Sequence, residues 1–238
     1  MNFCYKCGAA IEDESQKFCI KCGANLTERE EKQTDNSNMD FDSLYNGLDD
    51  SSKLSKIIED YEELIESGFN NQALNLIDYA LKIDSNNDDI LNDKATVLSN
   101  LGEDDKALLY YKKSLDINPD NSNTLSNLGY LYHKLGKYDL AIETFDKALA
   151  KDHNNFSALN NKAATLHIMG MYDESISVHR KILSKNPNHV HSLINISATY
   201  FEMGKYKDAL MYINKALEVE PYNQVALQNK NELMKMIN

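Results

Sequence analysis

The chain has 238 residues, of which 42% are hydrophobic and 26% charged, with a formal net charge of -12 and a mean hydropathy of -0.54. No apolar run approaches the ~18 residues of a membrane span, and the negative charge disfavours nucleic acid and anionic lipid as general partners. The opening MNFCYK lacks the basic and apolar regions of an export signal, so the expected location is cytoplasmic.

All four cysteines fall in the first 22 positions, as two copies of one phrase: FCYKCGAAI (3–11) aligns with FCIKCGANL (18–26). Cys4 and Cys7 match Cys19 and Cys22, each pair being C-x-x-C followed by Gly. Two residues between thiolates let one tight turn aim both sulfurs at a point, and two such turns complete a tetrahedral shell for one zinc ion. Gly8 and Gly23 suit a backbone that must turn at positive φ, and the stretch from Gly8 to Phe18 between the pairs is long enough for a small β-hairpin. Disulfides do not suit a chain without an export signal. A redox dithiol needs a single C-x-x-C on a βαβ frame. This stretch resembles the short zinc-ribbon family at the front of many prokaryotic proteins, with Cys4, Cys7, Cys19 and Cys22 as ligands. Four sulfurs leave no open coordination position, so the zinc is expected to be structural. Lys6, Lys17 and Lys21 are balanced by Glu12, Asp13 and Glu14, which leaves no basic patch for nucleic acid.

Residues 27–53 carry eight acidic and three basic side chains with no clear period, and read as a flexible acidic linker. Phe41, Leu44 and Leu48 offer only a short docking helix there. The remainder is periodic. Gly68, Gly102, Gly136, Gly170 and Gly204 recur at one unvarying interval, and Pro119, Pro187 and Pro221 each follow one of them by half that interval. Such a period signals a solenoid of repeated supersecondary units.

Each unit reads as two helices. In the third, Leu125, Leu128, Leu131, Tyr132 and Leu135 recur at helical spacing, Gly136 ends the helix, and Asp139 is expected to cap the next one, which carries Ile142, Phe145 and Leu149. Small residues recur where helices must approach closely: Ala95, Gly129, Ala163 and Ser197 on the first helix, Ala73, Ala107, Ala141, Ser175 and Ala209 on the second. These columns resemble the tetratricopeptide repeat family. The resemblance implies an all-α solenoid of five helix-turn-helix repeats, 54–87, 88–121, 122–155, 156–189 and 190–223, preceded by the ribbon at 1–26 and the linker at 27–53. Residues 224–238 form a capping helix, expected to have a polar outer face. Tyr61 and Ile182 depart from the pattern, each replacing a small residue.

No protease, hydrolase or phosphate-loop motif occurs, which points away from an enzyme. His133 and His167 share a register on successive first helices and read as polar lining in preference to a second metal site, while His153, His179, His189 and His191 show no partnered arrangement. In the family, function sits on the concave surface formed by the first helices. There Asn127, Asn161, Asn195 and Asn229 recur at the interval of the glycines, and an amide can pair with both polar groups of a peptide backbone. The row is similar to the asparagine ladder in the tetratricopeptide superhelix of O-linked N-acetylglucosamine transferases, or is family background. Tyr130, His133, His167 and Phe201 would add side-chain contacts. The family's chaperone-binding members hold a carboxylate with Lys and Arg. At the matching places this chain has Ile58, Asn92, Asn123, Ser126, Asn127 and Asn160, so that clamp is rejected. The expected function is a non-enzymatic adaptor holding an extended neutral or basic segment. The alternative is a regulatory protein whose ribbon contacts nucleic acid while the repeats recruit partners. Replacing Asn127, Asn161 and Asn195 together by Ala should weaken capture and leave the thermal midpoint nearly unchanged.

Overall fold

The computed structural model describes residues 2–3, 10–11 and 41–237. The four cysteines lie outside the described residues. Strands β1 (Asn2–Phe3) and β2 (Ala10–Ile11) pair antiparallel, with Asn2 opposite Ile11 and Phe3 opposite Ala10. This pairing brackets the first C-x-x-C; the hairpin expected between the two pairs falls mostly outside the described residues.

The chain divides into two compact units, residues 1–83 and 84–238. In the first, α1 (Phe41–Leu44), α2 (Asp50–Glu66) and α3 (Asn70–Ile83) are helical, so part of the stretch expected to be linker is helix. Aromatic side chains account for this. The rings of Phe41 and Tyr45 stack on Tyr79 of α3 at 5.2 and 6.2 Å. The Tyr45 hydroxyl donates to Asp60 at 2.7 Å and the Tyr79 hydroxyl donates to Asp42, so the buried ring of Tyr45 keeps its polar end satisfied. Asp49 caps α2 by accepting from the Ser52 amide.

The second unit holds α4 (Asp88–Asn100), α5 (Asp104–Ile117), α6 (Ser122–Lys134), α7 (Tyr138–Lys151), α8 (Phe156–Ile168), α9 (Tyr172–Lys185), α10 (Val190–Glu202), α11 (Tyr206–Val219) and α12 (Gln224–Ile237). Even-numbered helices start at the same constant interval as the glycines, and so do odd-numbered ones. Each helix packs on the next, and α4 with α6, α6 with α8, and α10 with α12 also touch. The even-numbered helices are therefore the first helices of successive hairpins.

Residue volumes explain the close pairing. At Gly129 of α6 an added Cβ would sit 2.7 Å from the Phe145 ring of α7, so only glycine admits that ring. Leu125, Ala141, Phe145, Ala148 and Ala158 form one buried cluster, and Leu159, Ala163, Leu166, Val178 and Ile182 form another. Tyr61 and Ile182, the two departures from the small-residue columns, are both fully buried.

Every hairpin turn is built alike. After α6, Leu135 is the C-cap and Gly136 follows at φ +72°, with its amide bonding to His133 O and the Lys137 amide to Tyr132 O, both at 2.9 Å. This is a Schellman turn, and the left-handed residue is why the glycine recurs. Asp139 does not cap α7: that cap is Lys137, with no side-chain bond, because the Schellman turn runs straight into the helix and leaves Asp139 in its first turn. Side-chain caps sit instead on the first helices. Asn87, Asn121, Asn155 and Asn223 accept from amides of α4, α6, α8 and α12.

The outer face of α12 is mixed, where a polar one was expected: Gln224, Gln228, Asn231, Glu232 and Lys235 are exposed, but so are large apolar side chains. Val225 is 57% exposed, and Leu227, Met234, Met236 and Ile237 are also exposed. Leu227 stands where Leu125, Leu159 and Leu193 are buried against their own second helices, and no second helix covers it among the described residues.

Candidate peptide-binding face

Helical register sets the site. Asn127, Asn161, Asn195 and Asn229 are each the sixth residue of a first helix, on α6, α8, α10 and α12. They are not equivalent. Asn127 Nδ2 donates to Asn92 Oδ1 at 3.0 Å, which ties α6 to α4. Asn161 is half-buried and Asn195 exposed, and neither side chain is hydrogen-bonded among the described residues. Beside this row, at the fifth position of α6 and α8, Ser126 Oγ and Asn160 Oδ1 are buried with no hydrogen-bond partner among the described residues. A buried polar atom left unpaired costs about 1–3 kcal/mol, so such atoms call for a ligand or water.

His133, His167 and Phe201 share the twelfth position of α6, α8 and α10, and each ring packs on a tyrosine of the following helix. The pairs are His133 with Tyr138 at 5.7 Å, His167 with Tyr172 at 5.3 Å and Phe201 with Tyr206 at 5.5 Å. Tyr130 stacks on His133 at 6.1 Å and is 50% exposed. Next to it, Lys134 Nζ donates to Ser99 O and to Asp104 Oδ1, both at 2.7 Å, so its charge is spent inside the repeat array.

Family models of the tetratricopeptide repeat match residues 122–155 and 154–219, and a TPR-repeat model matches 97–136. Together these span 97–219, just over half of the chain. The chain is a tetratricopeptide-repeat protein. No curated protein matches it. Among solved structures this tetratricopeptide-repeat protein is similar to YrrB, described as a TPR protein with an unusual peptide-binding site, at 24% identity over 74% of this chain and 90% of that one, with a TM-score of 0.59. It is also similar to PilF of Pseudomonas aeruginosa, at 19% identity over 79% and 86% and a TM-score of 0.70. PilW, a type IV pilus biogenesis factor, matches at 23% identity over 77% and 86%, with a TM-score of 0.70. At these identities the likeness is one of fold. No helix among the described residues is long and apolar enough to cross a membrane.

Sequence reading missed one cluster in this tetratricopeptide-repeat protein. His179 and His189 do have partners: their Nδ1 atoms lie 3.3 and 2.9 Å from the hydroxyl of Ser192. His189 stands where the other first helices have Asn, and caps α10 by accepting from the Ser192 amide at 3.2 Å. Burial pushes His179 down to about 4, helped by His189 and His167, and burial also lowers His189, helped by His191. The place of His189 in the repeat, midway between Asn155 and Asn223, was the available signal.

Proposed function

We propose that the protein is a non-enzymatic adaptor that holds an extended protein segment across the first helices α6, α8 and α10, with an N-terminal zinc ribbon as a separate structural module. The observation that carries this reading is the row of amides at the sixth position. Asn161 and Asn195 offer donors and acceptors that no other described residue uses. An extended segment has an N–H and a C=O at every residue, and satisfies such a row whatever its side chains. The peptide-binding site named for YrrB adds support by analogy of fold.

Asn127 does not belong in the test of this row. Replacing it by Ala would strand Asn92 Oδ1, so a triple variant mixes binding with stability. The double variant Asn161→Ala with Asn195→Ala avoids this. A displayed library of random peptides, panned on the full chain, supplies the ligand. At about 1 kcal/mol per hydrogen bond, the double variant should bind a selected peptide roughly 10- to 30-fold more weakly with an unchanged thermal midpoint. Equal affinity would remove the amide row from the account.

For the ribbon, the donor set is what supports zinc. Two C-x-x-C pairs give four thiolates, which fit a closed tetrahedral site, and the pairing of β1 with β2 brings together the chain on either side of the first pair. Cys4, Cys7, Cys19 and Cys22 would hold the ion, and a bound zinc would supply folding free energy to a segment with little core of its own.

A further inference from the structure

Thr165 and Thr199 are the tenth residues of α8 and α10, and both are buried, at 0% and 1% exposure. Each hydroxyl donates its one proton to the carbonyl four residues back, Thr165 Oγ1 to Asn161 O at 2.7 Å and Thr199 Oγ1 to Asn195 O at 2.8 Å. Each hydroxyl oxygen is then available only as an acceptor. Facing them are His133 Nδ1 at 2.8 Å and His167 Nδ1 at 3.1 Å, each from the preceding first helix. Nδ1 must therefore carry the proton, and in the neutral ring Nε2 is left as an acceptor. Neither Nε2 is hydrogen-bonded, or buried without a partner, among the described residues, so both meet solvent.

The repeat itself supplies a control. Where the twelfth residue of a first helix is His, the tenth residue of the next first helix is Thr: His133 with Thr165, His167 with Thr199. Where the twelfth is Ser99 or Phe201, that tenth residue is Leu131 or Leu233. Phe201 keeps the ring contact with Tyr206, so packing alone does not require the nitrogen. The threonine appears only where there is an imidazole to orient.

Resting on the peptide-binding reading above, we propose that Thr165 and Thr199 are positioning residues that hold His133 and His167 in the Nδ1–H form, so that the face presents two Nε2 acceptors one repeat apart and selects a basic segment. A lysine or arginine side chain brings N–H donors to these acceptors and a cation to the half-exposed ring of Tyr130, on a chain of net charge -12. A carboxylate would meet lone pairs, and Lys134 is already committed to Ser99 and Asp104.

Two measurements on the full chain test this. Nitrogen NMR of 15N-histidine-labelled protein, above the range in which histidine protonates, should show protonated Nδ1 and bare Nε2 for His133 and His167. The form should persist with Thr165→Ser and Thr199→Ser and be lost as a mixture of tautomers with Thr165→Val and Thr199→Val. A proton on Nε2 in the wild type would overturn the proposal. In the second, the displayed random-peptide library should yield peptides rich in Lys or Arg, bound at least tenfold more weakly by the double Val variant and with restored affinity in the double Ser variant. Selected peptides without basic residues, or equal affinity for the Val variant, would overturn the proposal and leave the groove reading standing. A wild-type chain that selects no peptide would sink the groove reading, and the proposal with it. Thermal midpoints of the Val and Ser variants separate a binding loss from unfolding.

Discussion

His179 occupies the place that Tyr111 and Phe145 fill in the preceding second helices, which puts a titratable ring where the fold wants an apolar one. Its pKa falls from the ordinary 6.5 to about 4 because burial penalises the cation. The unfolded chain therefore takes up a proton first as pH drops. Stability is complete above about pH 6.5 and is lost progressively toward about pH 4, by on the order of 3 kcal/mol. His179→Phe should flatten most of that loss, as followed by thermal melts between neutral and acid pH. An undiminished pH dependence would assign it to other groups, such as the His189 cap. The row of Asn residues was visible in the sequence because its period is that of the repeat. Its inequality was not, since the bond from Asn127 to Asn92 and the sharing of Ser192 by His179 and His189 depend on how neighbouring helices cross.

Among the elements, periodic glycines and small-residue columns made the hairpins legible, because a left-handed turn and a close helix approach each admit few side chains. Caps were harder to place. Asp139 looked suitable by spacing, yet the amides it would have served follow directly from a Schellman turn, while the side-chain caps fell to Asn87, Asn121, Asn155 and Asn223. Asn155 does two jobs: its Oδ1 accepts from the Ala158 amide at 2.9 Å, and its Nδ2 donates to Ser122 Oγ at 2.9 Å and to Ser122 O at 3.2 Å. Asn155→Ala should cost about 1–2 kcal/mol in chemical denaturation, more than a cap alone, because it also removes the bonds to Ser122 at the start of α6. The helix at Phe41–Leu44 was raised by the spacing of Phe41, Leu44 and Leu48 but ranked below a linker, for a related reason. Its acidic neighbours spell linker, and only the distant Tyr79 ring and Asp60 carboxylate make Phe41 and Tyr45 worth ordering.

At the scale of the molecule, the proposed division is between a metal-built module and a packing-built one. Chelation should then act on one of them only. Stripping zinc from the full chain should release one ion per molecule, lose the backbone NMR signals dispersed by residues 1–26, and leave the melting of the helical repeats within about a degree. Release of no metal, or a helical melt that shifts with chelation, would contradict the division. Within the repeat array, polar side chains serve as caps, as Asn155 does on α8, and as ties between first helices, as Asn127 does with Asn92. The most direct measurement is hydrogen exchange of the full chain with and without a peptide selected from a random library. The account predicts new protection on the amides of α6, α8 and α10 and little change on α7, α9 and α11. Protection confined to the second helices, or to residues 1–40, would contradict it.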